Sequence, residues 1–262
     1  MAILHLLALG DISGVSSADQ LSRRLWKYRQ EQKIDFVVAN AENASVGNGL
    51  DAVTAKSLLA GGVDVITTGN HVWKWRDLYP FLDESRSIIR PANYPATDPG
   101  SGFTYFRVSG VTFLVINVMG VIYLEPIGDP FTAVEEILER EKGKYDFALL
   151  DIHAEATSEK LALANTFDGR IHAIFGTHTH VQTADERILP KGSGYITDLG
   201  MCGPVDSILG IRTDIILKKM RSKMPIRYEF AEGKNTFHGA SFFFDTEAKK
   251  VTEIRREEFT LE

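Results

Sequence analysis

Seven separate apolar runs mark this chain of 262 residues, and six of them close on, or just before, a polar side chain suited to metal or phosphate chemistry. They are Ile3 to Leu9 before Asp11, Phe36 to Ala39 before Glu42 and Asn43, Val63 to Ile66 before Asn70 and His71, and Phe113 to Val118. Phe147 to Ile152 precedes His153, Ile171 to Phe175 precedes His178 and His180, and Tyr195 to Ile196 precedes Asp198. Short apolar runs bounded by turn residues read as buried strands, and parallel α/β sheets carry their ligands beyond the carboxyl ends of those strands. Residues far apart in sequence are therefore expected to meet at one edge of a sheet.

Between the runs lie segments of helical period. Leu21, Leu25 and Tyr28 share one face, as do Phe131, Val134 and Leu138 behind an Asp129-Pro130 start; Ala52 to Ala60, Arg76 to Leu82, Ser158 to Ala164 and Thr213 to Ser222 are further crossovers. Strands and helices thus alternate through roughly the first 220 residues, an α/β pattern. The tail differs: Arg227 to Phe230, Thr236 to Asp245 and Lys250 to Arg255 read as extended stretches of a closing meander. Pro91 to Gly102, rich in Pro, Gly and Asp, reads as a long surface loop. With no repeat, low-complexity tract or linker, residues 1–262 are expected to form a single domain.

A net charge of −6 argues against a protein that coats nucleic acid by neutralising phosphates, so no stable nucleic-acid complex is expected. The single cysteine, Cys202, cannot close an intramolecular disulfide, which suits a cytoplasmic protein. The apolar start Ala2 to Leu9 has neither a preceding basic residue nor a small-residue cleavage site and reads as the first strand. No run approaches the about 18 apolar residues of a membrane span.

Metal-assisted hydrolysis needs carboxylate, amide and imidazole donors, with one bridging carboxylate where two cations lie ~3.5–4 Å apart. Asp11, Glu42, Asn43, Asn70, His153, His178 and His180 supply that set, and an i, i+2 histidine pair on a strand end would face one side. Taken singly, each has an ordinary explanation. Asp11 can cap a helix or form a turn, Asn43 and Asn70 can tolerate turn geometry, and a lone His153 can be a hydrogen-bonded core residue. Their joint placement at run ends favours a metal site. His5, His172 and His238 lack such placement and are expected to be structural, and Cys202 has no catalytic signature around it.

Gly69-Asn70-His71 and Gly176-Thr177-His178-Thr179-His180 resemble motifs of the calcineurin-like metallophosphoesterases. Gly10-Asp11-Ile12, Ala41-Glu42-Asn43-Ala44, Arg90-Pro91-Ala92-Asn93, His153 to Lys160, Thr177 to Asp185 and Tyr195 to Met201 resemble their YmdB-like subfamily across essentially the whole chain. The resemblance implies a four-layer αββα sandwich, two divalent ions (Fe, Mn or Mg), and phosphodiesterase activity on a small-molecule phosphoester, a 2′,3′-cyclic nucleotide. It also implies a homo-oligomer. Carried over, Asp11, Glu42, Asn43 and His180 would bind one ion and Glu42, Asn70, His153 and His178 the other, with Glu42 bridging and His71 catalytic. The chain departs from the pattern in having Ser13 where the superfamily has a ligating histidine, and Gly14-Val15-Ser16-Ser17-Ala18 where relatives usually continue with Gly-Arg after Gly-Asp-Ile-Val-Gly. The rival functions are a phosphomonoesterase or nucleotidase on the same scaffold, and a regulatory nucleotide-binding protein with little turnover.

Overall fold

The computed structural model describes residues 3–261; Ala2, counted in the first strand by the sequence reading, lies outside them, as do both ends of the 1–262 span. The first half runs β1 (Ile3–Leu9), β2 (Asp11–Ile12), α1 (Val15–Gln32), β3 (Phe36–Asn40), α2 (Ala52–Ala60), β4 (Val65–Thr67), α3 (Leu78–Glu84), β5 (Phe103–Val108), β6 (Val111–Met119) and α4 (Pro130–Arg140). The second half adds β7 (Phe147–His153), α5 (Thr157–Phe167), β8 (Ala173–Thr177), β9 (Arg187–Ile188), β10 (Gly194–Ile196), β11 (Met201–Pro204), α6 (Thr213–Ser222), β12 (Asn235–Asp245) and β13 (Lys250–Phe259).

Two mixed sheets result. One has the order β2-β11-β12-β1-β3-β4 with β13 on β12, and the other β5-β6-β7-β8-β10-β9. Alternation along the strands explains how they stack, because successive side chains point to opposite faces. Leu4, Leu6 and Ala8 of β1 meet Phe113 and Val115 of β6 and Phe147 of β7 in a core between the sheets. Leu7 and Leu9 face the other way, onto Leu21 and Leu25 of α1 and Leu58 of α2. Leu114, Ile116 and Val118 of β6 likewise turn outward, onto Val134 and Leu138 of α4 and Leu163 of α5. Three cores between four layers make the αββα sandwich of the metallophosphoesterase fold.

Two of the helices begin where an aspartate provides an acceptor for free backbone amides. Asp51 accepts from Val53 and Thr54 at the start of α2, and Asp129 does the same for Phe131 and Thr132 of α4, with Pro130 in the first turn.

The tail differs from the sequence expectation. β12 enters the interior of the first sheet antiparallel to β1, with Ile3 opposite Asp245, and β13 pairs with its other side. Arg227 to Phe230 is not a strand: only Phe230 bridges, to Ile211. β5, which the periodicity does not flag, pairs antiparallel with β6. Its outer face is exposed, so it lacks the apolar run of a doubly covered strand. The expected loop at 91–102 is present, gathered by the buried Arg90 guanidinium, which donates to the carbonyls of Pro91, Pro95 and Pro99.

Candidate metal centre

Five strand ends deliver side chains to one place. Asp11 follows β1, Glu42 and Asn43 follow β3, Asn70 and His71 follow β4, His153 is the last residue of β7, and His178 and His180 follow β8. All eight residues named from the sequence belong to this cluster. The β6 end supplies no donor, and Asp198 after β10 turns instead to Lys160.

The tightest group surrounds His153. Its Nε2 lies 3.0 Å from Asn70 Oδ1, 3.1 Å from His178 Nδ1 and 3.2 Å from Glu42 Oε2. Ligand atoms about 2.1 Å from a shared cation, at roughly right angles, stand about 3.0 Å apart. Glu42, His153 and His178 together have the spacing to hold a metal ion. Gly69 lets the loop come this close: a Cβ there would overlap both His153 Nε2 and Glu42 Oε2.

A second group adjoins it. His180 Nε2 lies 3.8 Å from Asp11 Oδ1 and 3.2 Å from Asn43 Nδ2, and that Nδ2 donates to Glu42 Oε1 at 3.0 Å. Asn43 therefore presents its amide nitrogen, and ligation through Oδ1 requires the amide to turn over. Its backbone is fixed by the Gly14 amide, which donates to the Asn43 carbonyl at 2.8 Å. Asp11 Oδ2 accepts the His178 amide at 2.9 Å, but its other oxygen, Oδ1, is buried without a partner. An orphaned buried carboxylate oxygen is costly unless a cation compensates, so the donor set fits a divalent ion.

The outer partners select the nitrogen that each histidine offers. Thr177 Oγ1 donates to Asp151 Oδ1 at 2.8 Å and so accepts Nδ1–H of His153 at 2.9 Å, leaving Nε2 as the free lone pair. Glu155 accepts from His178 Nε2 at 3.1 Å, and the Leu209 carbonyl accepts from His180 Nδ1 at 3.2 Å. This is how metal-ligating histidines are usually oriented. Asn40 donates to Asp151 and bridges back to the Glu42 amide through its Oδ1.

Electrostatics follow from crowding. Burial raises the Asp11 carboxyl to about 6. Burial pushes the Glu42 carboxyl the same way, but His153 and His71 beside it win and hold it well below the usual range. Burial would lower His153, yet Glu42, Asp11 and Asp151 lift it to about 9, while burial and the neighbouring His153 charge push His178 down to about 3. Without a cation, a proton on His153 Nε2 supplies the positive charge that the acidic cluster demands, and a bound cation would take its place there.

One local expectation is corrected. His178 and His180 do not lie on a strand; β8 ends at Thr177, and both residues adopt left-handed backbone, with φ of 96° and 63°. They converge because the chain coils back past the strand end, not through pleat alternation. The expectations for the other histidines agree with the structure: His5 bonds Ser241 Oγ, His172 accepts the Ala148 amide, and His238 bonds the Met201 carbonyl. Cys202 is fully buried, and burial pushes its thiol far up, away from nucleophilic chemistry.

Sequence reasoning missed the supports Asn40, Asp151, Thr177, Glu155 and Lys160. Asp151 was the visible one, a lone carboxylate inside the apolar run Phe147 to Ile152.

A curated protein of Bacillus subtilis (strain 168), named 2′,3′-cyclic-nucleotide 2′-phosphodiesterase, is 42% identical over 253 residues, covering 97% of this chain and 96% of its own. A crystal structure of a hypothetical protein from Thermus thermophilus superposes with TM-score 0.91 at 38% identity, covering 99% of this chain and 100% of that one. A structure described as a novel phosphatase from Mycoplasma pneumoniae gives TM-score 0.92 at 30% identity, covering 100% and 95%. Residues 7–256 match the family described as YmdB-like protein. By this match and by its likeness to the Bacillus subtilis relative along nearly its whole length, the chain belongs to the YmdB-like family.

Proposed function

We propose that this protein is a phosphodiesterase that hydrolyses 2′,3′-cyclic nucleotides with two divalent ions, Fe, Mn or Mg, in one domain spanning the chain. The observation that carries the reading is the cluster around His153, with the unpartnered Asp11 Oδ1 beside it. The name of the Bacillus subtilis relative supports the substrate class and cleavage at the 2′ position. Asp11, Glu42, Asn43 and His180 would hold one ion, and Glu42, Asn70, His153 and His178 the other, with Glu42 common to both. Bound divalent ions would polarise the phosphoryl oxygens and make water at the site a nucleophile near neutral pH.

The chain's own residues orient and protonate. Glu42 Oε1 accepts from His71 Nδ1 at 3.2 Å, and its Oε2 accepts the His71 amide at 3.2 Å, so the loop bearing His71 is clamped onto the carboxylate. With Nδ1 engaged, Nε2 is the nitrogen left to deliver a proton to the departing sugar oxygen. His71 lines a cleft of about 140 Å³ together with Glu42 and His178. That position suits general acid catalysis.

No helix among the described residues is long and apolar enough to cross a membrane. The single buried cysteine supports a cytoplasmic setting. Exposed Leu217, Met220 and Met224 on and just after α6 support the homo-oligomer.

Protein purified without chelators should contain about two divalent ions per chain by elemental analysis. It should also prefer cyclic nucleotides to linear diesters and monoesters. The description of the Mycoplasma pneumoniae relative as a phosphatase favours a second reading, a phosphomonoesterase, and a monoester preference in the same substrate panel would establish it.

A further inference from the structure

Between β11 and β12 the chain leaves the first sheet at Val205 and returns at Lys234, whose carbonyl accepts the Val205 amide at 3.0 Å. The excursion carries α6 and a short irregular pairing. Ile211 bridges Phe230, the Arg212 amide donates to the Glu229 carbonyl at 3.0 Å, and the Ala231 amide to the Gly210 carbonyl at 2.8 Å. These contacts present Leu209, Ile211, Tyr228 and Phe230 as one wall of the cleft whose opposite end holds Glu42 and His178.

The wall is built and tied to the candidate metal centre. Phe230 lies against the backbone at Gly14, where a Cβ would stand 3.0 Å from its Cγ and where φ is 88°. Tyr228 remains 38% exposed, with the Lys219 ammonium 4.5 Å from its ring centroid. Leu209 adopts left-handed backbone, φ 52°, and its carbonyl accepts from His180 Nδ1. A non-glycine residue in that region is strained, so surrounding contacts must hold it there.

Among the described residues no lysine or arginine lines this cleft, and the Lys219 ammonium covers only one face of the Tyr228 ring, leaving the other for a ligand. Beyond the candidate metal-binding residues the lining is aromatic and aliphatic, Leu209, Ile211, Tyr228 and Phe230, with the amide of Asn48. Such a surface suits an uncharged planar group and not a second phosphate. A nucleobase meets that requirement, and stacking on an aromatic side chain is worth about 1–3 kcal/mol per base.

Building on the phosphodiesterase reading, we propose that Tyr228 and Phe230 form the nucleobase subsite, holding the base while the cyclic phosphate occupies the Glu42–His178 end of the same cleft. Because stacking reads ring surface and not hydrogen-bond pattern, the subsite accepts all four bases with only modest preference.

The test compares adenosine 2′,3′-cyclic phosphate with glycerol 1,2-cyclic phosphate, which keeps the five-membered cyclic ester but has no base. In the full chain, Tyr228→Ala should raise KM for the adenosine ester by roughly 5- to 100-fold. Its kcat should stay within about twofold, and kcat/KM for the glycerol ester should be unchanged. Tyr228→Phe should restore the KM. Calorimetry provides a readout without turnover: adenosine 3′-monophosphate should bind more tightly than inorganic phosphate, and Tyr228→Ala should erase the difference. An equal loss on both esters, or no loss on the adenosine ester, overturns the subsite. If neither ester is hydrolysed but the binding difference is seen and is erased by the variant, the subsite stands and the phosphodiesterase reading falls. If the wild-type protein binds the nucleotide no better than phosphate, the subsite falls, whatever the activity.

Discussion

The ammonium of Lys160 lies 2.7 Å from Oδ2 of Asp198, and both side chains are buried. Lys160 also donates to the Thr177 carbonyl at 2.8 Å, while Asp198 accepts the Thr179 hydroxyl at 2.8 Å and the Gly200 amide at 2.8 Å. One ion pair therefore pins the chain on both sides of His178, at Thr177 and Thr179. Removing one member of a buried pair strands the other, which costs about 3–5 kcal/mol. Lys160→Met should lower unfolding free energy in urea by that amount. Lys160→Met with Asp198→Asn should recover part of the loss, because the asparagine oxygen keeps an amide partner. A single-variant loss below about 1 kcal/mol, the range of an exposed pair, would remove the loop-anchoring role.

Thr177 orients His153, a proposed metal ligand. Its hydroxyl accepts Nδ1–H of His153 and donates to Asp151, so Thr177→Val removes the group that selects the tautomer while keeping the side-chain shape. Loss of such an outer partner typically reduces metal affinity 10- to 100-fold. Competition with a chromophoric chelator should show that drop, and unchanged affinity would mean that packing alone orients the ring.

His71→Ala separates proton delivery from metal binding. The amide that holds Glu42 Oε2 belongs to the backbone and survives the substitution. Metal content by elemental analysis should stay at the wild-type level while turnover of a cyclic nucleotide falls by about 10²–10⁴. Full turnover in fully metallated variant protein would exclude the general-acid role.

Much of this site is legible in the sequence, because buried parallel strands announce themselves as apolar runs, and their C-terminal ends are where ligands gather. Asp11, Glu42, Asn70 and His153 stand at such ends, and the structure brings them together. Phe113 to Val118 shows the limit, since its strand builds the core and supplies no donor. Periodicity carries no information about φ, so the coil through His178 and His180 reads in sequence as pleat geometry. Partners across space are equally invisible: the Lys160–Asp198 pair spans 38 positions, and only folding brings it into register. β12 is recognisable as extended, but its neighbour β1 lies at the opposite end of the chain, and nothing local encodes that antiparallel insertion.

His172 makes an acid-sensitive contribution remote from the candidate metal centre. Burial, with the nearby Lys249 charge, pushes it down from 6.5 to about 4, and its Nδ1 accepts the Ala148 amide at 3.1 Å, a bond that requires the unprotonated nitrogen. Its folded pKa lies below the unfolded value, so the unfolded chain takes up the proton first as pH falls. The contribution is therefore complete above about pH 6.5 and is lost progressively toward pH 4, by at most about 3 kcal/mol. His172→Asn keeps an acceptor for Ala148 but cannot titrate. Between pH 6.5 and 4 the wild-type unfolding free energy should fall more steeply than that of the variant, the remaining slope belonging to groups common to both. Parallel pH profiles would show that His172 is protonated equally in the folded and unfolded chains.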